Sequence, residues 1–158
     1  MGNLFNVPEI LDMGIEKEKK RRDFYGLVAE KFSEKNMKGL FTQLRDWEEA
    51  HIKKFTEIRK SVKELEATDS YPGELADYMN SLVDDTLYKE VSPGEFSKNV
   101  KDRLSAIQYG IGFEKDAILF FREMLSFIAS SNKDAIQKLI DEEKKHVVYL
   151  TELKRKVS

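Results

Sequence analysis

Apolar residues recur every three or four positions along most of this chain, the spacing of a single helix face. NVPE (6–9) reads as a helix start: Asn6 can accept a backbone amide, and Pro8 with Glu9 suits a first turn. From there to about Ser33, Leu11, Ile15, Tyr25, Val28 and Phe32 fall on one stripe. Leu40, Leu44, Phe55, Ile58 and Val62 predict a second helix from about Asn36 to Leu65. EATDSYPGE (66–74) breaks the pattern, a shorter amphipathic stretch (74–88) follows, and VSPGE (91–95) breaks it again. A third long helix is expected over about Val100 to Ile128, with Leu104, Ile107, Ile111, Ile118, Phe121 and Leu125 inward. SSNKD (130–134) predicts a turn with Ser131 as N-cap. The fourth helix, about Lys133 to Lys156, points Ile136, Ile140, Val147, Leu150 and Leu153 inward. The expected fold is an all-α four-helix bundle of two antiparallel hairpins, about 8–65 and 100–156. A long crossover, 66–99, joins them and contains a short helix.

The two hairpins repeat each other. DWEEAHIKKFTEI (46–58) aligns with DEEKKHVVYLTEL (141–153): the aspartate, one glutamate, the histidine and a later Thr-Glu coincide. EKKRRDFY (18–25) aligns with EKDAILFF (114–121), so that Glu18 meets Glu114 and Tyr25 meets Phe121. A two-fold related pair of hairpins is the simplest reading.

Within that repeat lie the only two histidines, and each has a glutamate three residues before it: Glu48-x-x-His51 and Glu143-x-x-His146. Residues three apart share a helix face, so each pair aims a carboxylate and an imidazole at one point. Both pairs lie on core stripes, and Glu18 and Glu114 interrupt the stripes of the partner helices. Four carboxylates and two imidazoles therefore converge at mid-bundle. With 18 glutamates in 158 residues, chance would place one at that spacing before both histidines about once in eighty. Buried unpaired charges cost several kcal/mol each, and like charges add repulsion. Two divalent cations would balance four carboxylates. One Glu from each of two helices plus a Glu-x-x-His from each of the others is the donor set of di-iron and di-manganese bundles. An oxygen-rich set of this kind argues against purely structural zinc.

Composition narrows the setting. A chain of 158 residues fits a single domain, 1–158, with 35% charged residues of interspersed sign and a net charge of −2. That balance gives no nucleic-acid surface. The absence of cysteine excludes disulfides, thiolate zinc and iron–sulfur clusters. No apolar run is long enough to span a membrane, and MGNLFNVPEI lacks signal-peptide features. A cytoplasmic location is expected. The KEKKRR run (17–22) is read mostly as solvated helix surface, with Arg22 reaching solvent.

Glu18 with Tyr25 seven residues on, Glu48-x-x-His51, Glu114 and Glu143-x-x-His146 resemble the rubrerythrin and bacterioferritin branch of the ferritin-like superfamily. The resemblance covers the four long helices. It implies a ferritin-like bundle holding two iron ions, with manganese or zinc as substitutes, and Glu18, Glu48, His51, Glu114, Glu143 and His146 as metal ligands. It also implies turnover of hydrogen peroxide or oxygen. The chain departs from the family pattern in lacking the four cysteines of a C-terminal rubredoxin, so electrons would come from a separate donor such as a rubredoxin-type protein. It departs again at Ala117, where rubrerythrins carry an extra carboxylate three residues beyond the ligand glutamate. The long middle segment is unlike the bacterioferritin connection, so a storage cage is not implied.

The resemblance further suggests that the residue before each Glu-x-x-His serves the opposing histidine. Glu142 would then orient His51, whereas Trp47 leaves His146 without an acidic partner. Tyr25 is a candidate catalytic residue, able to hydrogen-bond a ligand carboxylate or pass an electron. Gly110 and Gly112 suit close helix packing. A homodimer is expected. Peroxide reduction leads. Ferrous oxidation at the same site, a metal-binding interaction module without turnover, and oxygenase chemistry on an organic substrate are the alternatives.

Overall fold

The computed structural model describes residues 7–62, 78, 81–82, 86–126 and 128–158. They carry four long helices and two single turns of helix: α1 Val7–Lys31, α2 Lys35–Ser61, α3 Thr86–Lys89, α4 Phe96–Asn99, α5 Arg103–Met124 and α6 Ser130–Val157. No strand occurs among the described residues. α1 packs along α2 and α5 along α6, and contacts of α1 with α5 and of α2 with α6 close the bundle.

The element ends differ from the periodicity where capping chemistry decides them. α5 starts at Arg103 rather than near Val100. The Asp102 side chain accepts from the Ser105 amide at 2.7 Å, and the Ser105 hydroxyl accepts from the Asp102 amide at 3.1 Å. This reciprocal capping box satisfies two otherwise orphaned donors. α6 begins earlier than expected, with Ala129 at the cap and Ser131 inside the first turn, where the Asn132 amide already bonds the Ala129 carbonyl. α4 has no periodic signature because one turn is too short to show one. It forms where the Glu95 and Phe96 amides both bond the Ser92 carbonyl at 2.8 Å, and buried Phe96 fixes it against the Phe24 ring. The expected Asn6 cap, the end of the second helix (63–65) and most of the 66–85 connection lie outside the described residues.

Two apolar clusters fill the bundle, one built around Ile10, Leu11, Phe55, Phe120, Phe121 and Ile140, the other around Phe24, Val28, Phe41, Leu44, Phe113 and Leu150. Each long helix passes from one cluster to the other. Along α2, Leu44 belongs to one and Ile52 to the other, with Glu48 and His51 between. Along α6, Glu143 and His146 fall between Ile140 and Leu150. α1 places Glu18 and Arg21 between Ile15 and Phe24, and α5 places Glu114 between Phe113 and Ala117. The polar side chains thus form one layer sealed above and below by close-packed hydrocarbon, the environment in which charge costs most.

Candidate metal centre

All six side chains expected to converge do so. Glu18, Glu48, Glu114 and Glu143 are fully buried, and His51 and His146 nearly so. Their oxygen and nitrogen donors divide into two groups, Glu18–Glu48–His51–Glu143 and Glu48–Glu114–Glu143–His146, with the atoms of each within 4.8 Å of one another. Glu48 and Glu143, the glutamates of the two Glu-x-x-His pairs, belong to both groups. They divide their oxygens between the two sides. His51 Nδ1 lies 3.6 Å from Glu48 Oε2 and 2.7 Å from Glu143 Oε1. His146 Nδ1 lies 3.4 Å from Glu48 Oε1 and 3.2 Å from Glu143 Oε2. The two imidazoles are nearly parallel, with ring centroids 5.7 Å apart.

A cation that the sequence reading assigned to the surface sits inside this layer. Arg21 is fully buried, one helical turn past Glu18. Its Nη2 donates to Glu48 Oε2 at 3.0 Å and Glu143 Oε1 at 3.5 Å, and forms an ion pair with Glu18 Oε1 at 2.7 Å. Lys17 is buried as well and pairs with Asp116 at 2.8 Å. The KEKKRR run is therefore amphipathic: Lys17, Glu18 and Arg21 face inward. Lys19, Lys20 and Arg22 are half-exposed, and Arg22 pairs with Glu49 at 2.8 Å. Charge pattern alone hides this, because an inward arginine and a solvated one look alike in sequence. The spacing of Arg21 from Glu18 was the available signal. Tyr88 of α3 is a second contributor absent from the expected set. It stacks on Phe113 with centroids 4.2 Å apart, and its buried hydroxyl lies within electrostatic reach of the Arg21 guanidinium.

Electrostatics splits the carboxylates. Burial pushes Glu18 and Glu114 well above the ordinary carboxylate range, and neighbouring carboxylates add to this. Burial acts in the same direction on Glu48 and Glu143, but Arg21 and hydrogen bonds from their neighbours override it. Glu48 is held well below the ordinary range and Glu143 at about 2. Burial disfavours the charged imidazoles, yet hydrogen bonds to the carboxylates raise His51 to about 11 and His146 to about 12. Without a metal, the layer thus sets Glu48 and Glu143 against Arg21 and the two imidazoles, with Glu18 and Glu114 shifted toward their neutral forms.

The donor set fits a pair of divalent ions. Both histidines turn Nδ1 inward, and Glu18 Oε2 and Glu114 Oε2 accept no hydrogen bond despite complete burial. Such unsatisfied buried oxygens suit a cation. Two carboxylates shared between two four-donor groups could span a pair of ions, and imidazole with carboxylate suits iron or manganese.

The outer groups are unequal. His51 Nε2 meets Glu142, the partner expected for it. Trp47 stacks on His146 instead, with centroids 5.0 Å apart and planes 9° apart, and Tyr149 lies beyond it. Tyr25 is fully buried and its hydroxyl donates to Glu114 Oε1 at 2.5 Å. Burial pushes its ionisation well up, followed by the charge of Glu114, so the phenol stays a donor. A Cβ at Gly110 would lie 3.3 Å from Leu150 and 3.5 Å from the Tyr25 ring, which is the close packing expected of that glycine. A surface groove of about 340 Å³, lined by Trp47, Ala50, His51, Glu142, His146 and Tyr149, opens onto the outer edges of both imidazoles.

The family model described as Rubrerythrin matches residues 9–154 of the chain. Among solved structures, a chain from Thermotoga maritima described as a ferritin-like diiron-carboxylate protein superposes with a TM-score of 0.71 at 23% identity, covering 100% of both chains. That likeness establishes the ferritin-like fold. No curated protein matches the chain. No helix among the described residues is long and apolar enough to cross a membrane.

Proposed function

The chain belongs to the rubrerythrin family, and from that premise we propose that it reduces hydrogen peroxide at a carboxylate-bridged di-iron site. Glu18, Glu48, His51, Glu114, Glu143 and His146 would hold the metals. The observation that carries this reading is the sealed layer of four carboxylates and two inward Nδ1 atoms. When bound, two ferrous ions supply one electron each, which with two protons convert peroxide to two waters.

The protein groups have separable tasks. Glu48 and Glu143 present opposite oxygens to the two sides and so fix the spacing between the metal positions. Tyr25 holds a proton at Glu114 Oε1 and keeps that carboxylate oriented. Glu142 fixes the His51 ring from outside. Phe55, Phe120 and Phe121 on one side and Phe24, Phe41 and Phe113 on the other exclude bulk water from the layer. The groove at the imidazole edges gives a small oxidant a short approach and favours peroxide over a bulky organic substrate. A separate protein, of the rubredoxin type, would return the two electrons. Ferrous oxidation by oxygen uses the same ligands and is the second reading.

Anaerobic stopped-flow absorbance on ferrous-loaded protein tests the proposal. One peroxide should oxidise two irons, at least tenfold faster than oxygen at equal concentration. Faster reaction with oxygen, sustained by added ferrous iron, would transfer the assignment to ferroxidase. No reaction with either would leave a binding role.

A further inference from the structure

We propose that Arg21 is an internal counter-cation that competes for one metal position only, making the Glu18–His51 position the weaker and more exchangeable of the two. The inference rests on the two-metal reading above. Arg21 Nη2 contacts Glu18 Oε1, Glu48 Oε2 and Glu143 Oε1. These are carboxylates of the first donor group, and Glu48 Oε2 and Glu143 Oε1 are the oxygens turned toward His51. The oxygens turned toward His146, Glu48 Oε1 and Glu143 Oε2, make no contact with the guanidinium. On the His146 side these oxygens are met by the imidazole, a ligand that can give up its proton to an entering metal, whereas a metal entering the His51 position must also displace a guanidinium from Glu18, Glu48 and Glu143.

The repeat makes the asymmetry specific to one side. Arg21 stands three residues after Glu18, and the corresponding position after Glu114 is Ala117. The displaced guanidinium has a receiving end: its Nε and Nη1 make no well-formed hydrogen bond, and the buried Tyr88 hydroxyl lies close enough to interact with it. Arginine does not lose its proton in proteins, so this competition is set by geometry and not by pH.

Titration of the metal-stripped, full-length protein with Mn(II), followed by calorimetry and electron paramagnetic resonance, tests the inference. Two steps at least tenfold apart are expected, the first giving the signal of isolated ions and the second that of a coupled pair. Glu114→Gln should weaken the first step, and Glu18→Gln only the second. Arg21→Gln should tighten the second step at least tenfold. It should also lower the Tm of the metal-free protein while widening the rise in Tm on loading; an arginine with a purely structural role would lower both forms equally. Arg21→Lys keeps the charge and should keep the steps apart. Should Arg21→Gln fold only with Mn(II) present, the placeholder role is supported directly. Should it not fold at all, the wild-type protein labelled with 15N-arginine decides: on titration with Zn(II), the Arg21 side-chain resonance should move during the second equivalent. Movement completed in the first equivalent, or a second step unchanged in Arg21→Gln, overturns the inference and leaves the two-metal reading standing. A wild-type protein that binds no Mn(II), Zn(II) or Fe(II) overturns both.

Discussion

Loading the centre should expel protons, so that metal binding depends on pH in a direction the structure sets. In the metal-free layer His51 and His146 titrate at about 11 and 12, so both are cationic at pH 7. Glu18 and Glu114 are pushed well upward by burial. Glu48 and Glu143 are already anionic, held down by Arg21 and their hydrogen bonds. All six must present lone pairs to a metal, so His51 and His146 release one proton each, and Glu18 and Glu114 add to the release as far as they are protonated, giving at least about two per pair of ions. The sign follows: the metal-free form binds more protons, so metal affinity rises with pH. The product of the two binding constants should climb by at least about two decades per pH unit while both imidazoles start protonated. Calorimetric titration with Zn(II) in buffers of different ionisation enthalpy, repeated at pH 6, 7 and 8, counts the protons. A release of one proton or fewer per pair would refute the charge assignment of the layer and, with it, the view that the six side chains act as one donor set.

Four further outcomes are expected. Tyr25→Phe strips Glu114 Oε1 of its buried donor; the metal-free protein should lose about 2 kcal/mol, or ~4–8 °C in Tm, and the peroxide reaction should slow about 100-fold. An unchanged rate in stopped flow would confine Tyr25 to a structural role. Metal-free protein should lose thermal stability as pH rises from 6.5 towards 11, because His51 and His146 bind protons more tightly folded than unfolded; a Tm that climbs over this range in chelator contradicts it. Asp116→Ala leaves buried Lys17 unpaired and should cost about 2–3 kcal/mol, less than for a wholly buried pair because Asp116 is partly exposed; adding Lys17→Met should restore most of that in chemical denaturation. Phe55→Ala opens a cavity against Phe121 and should cost about 4 kcal/mol, with little change in metal stoichiometry.

What the sequence made legible depended on repetition and period. The inward glutamates were visible because each replaces an apolar residue in a regular stripe, and the histidines because both carry the same neighbour at the same spacing. Helix ends were less legible: Ser131 is a good capping residue by type, but the helix passes through it. Arg21 escaped because five basic residues surround Glu18 and only the three-dimensional path of α1 selects the inward ones. Tyr88 escaped for a different reason. It arrives from the crossover, and the packing of its ring on Phe113 is a long-range contact that no local pattern encodes.

The repeat copies the metal-centre residues more faithfully than their surroundings, and three of its departures fall beside the layer. At the position three past the ligand glutamate, Arg21 faces Ala117 across the repeat; seven past it, Tyr25 faces Phe121; before the Glu-x-x-His, Trp47 faces Glu142. The structure sorts these differences by side. Arg21 and Glu142 gather at the His51 position, where their charges set the entry and orientation of a ligand. Tyr25 and Trp47 gather at the His146 position, where a phenol donates to Glu114 and an indole covers the imidazole face. Symmetric ligands define a site able to hold two like ions, and asymmetric neighbours make those ions unlike in charge environment and exchange. A two-electron reaction at such a centre need not draw on both metals equally. If Arg21 competes as proposed, the side with the phenol donor would hold its metal more firmly, and the side guarded by Arg21 would be the one from which a metal can leave.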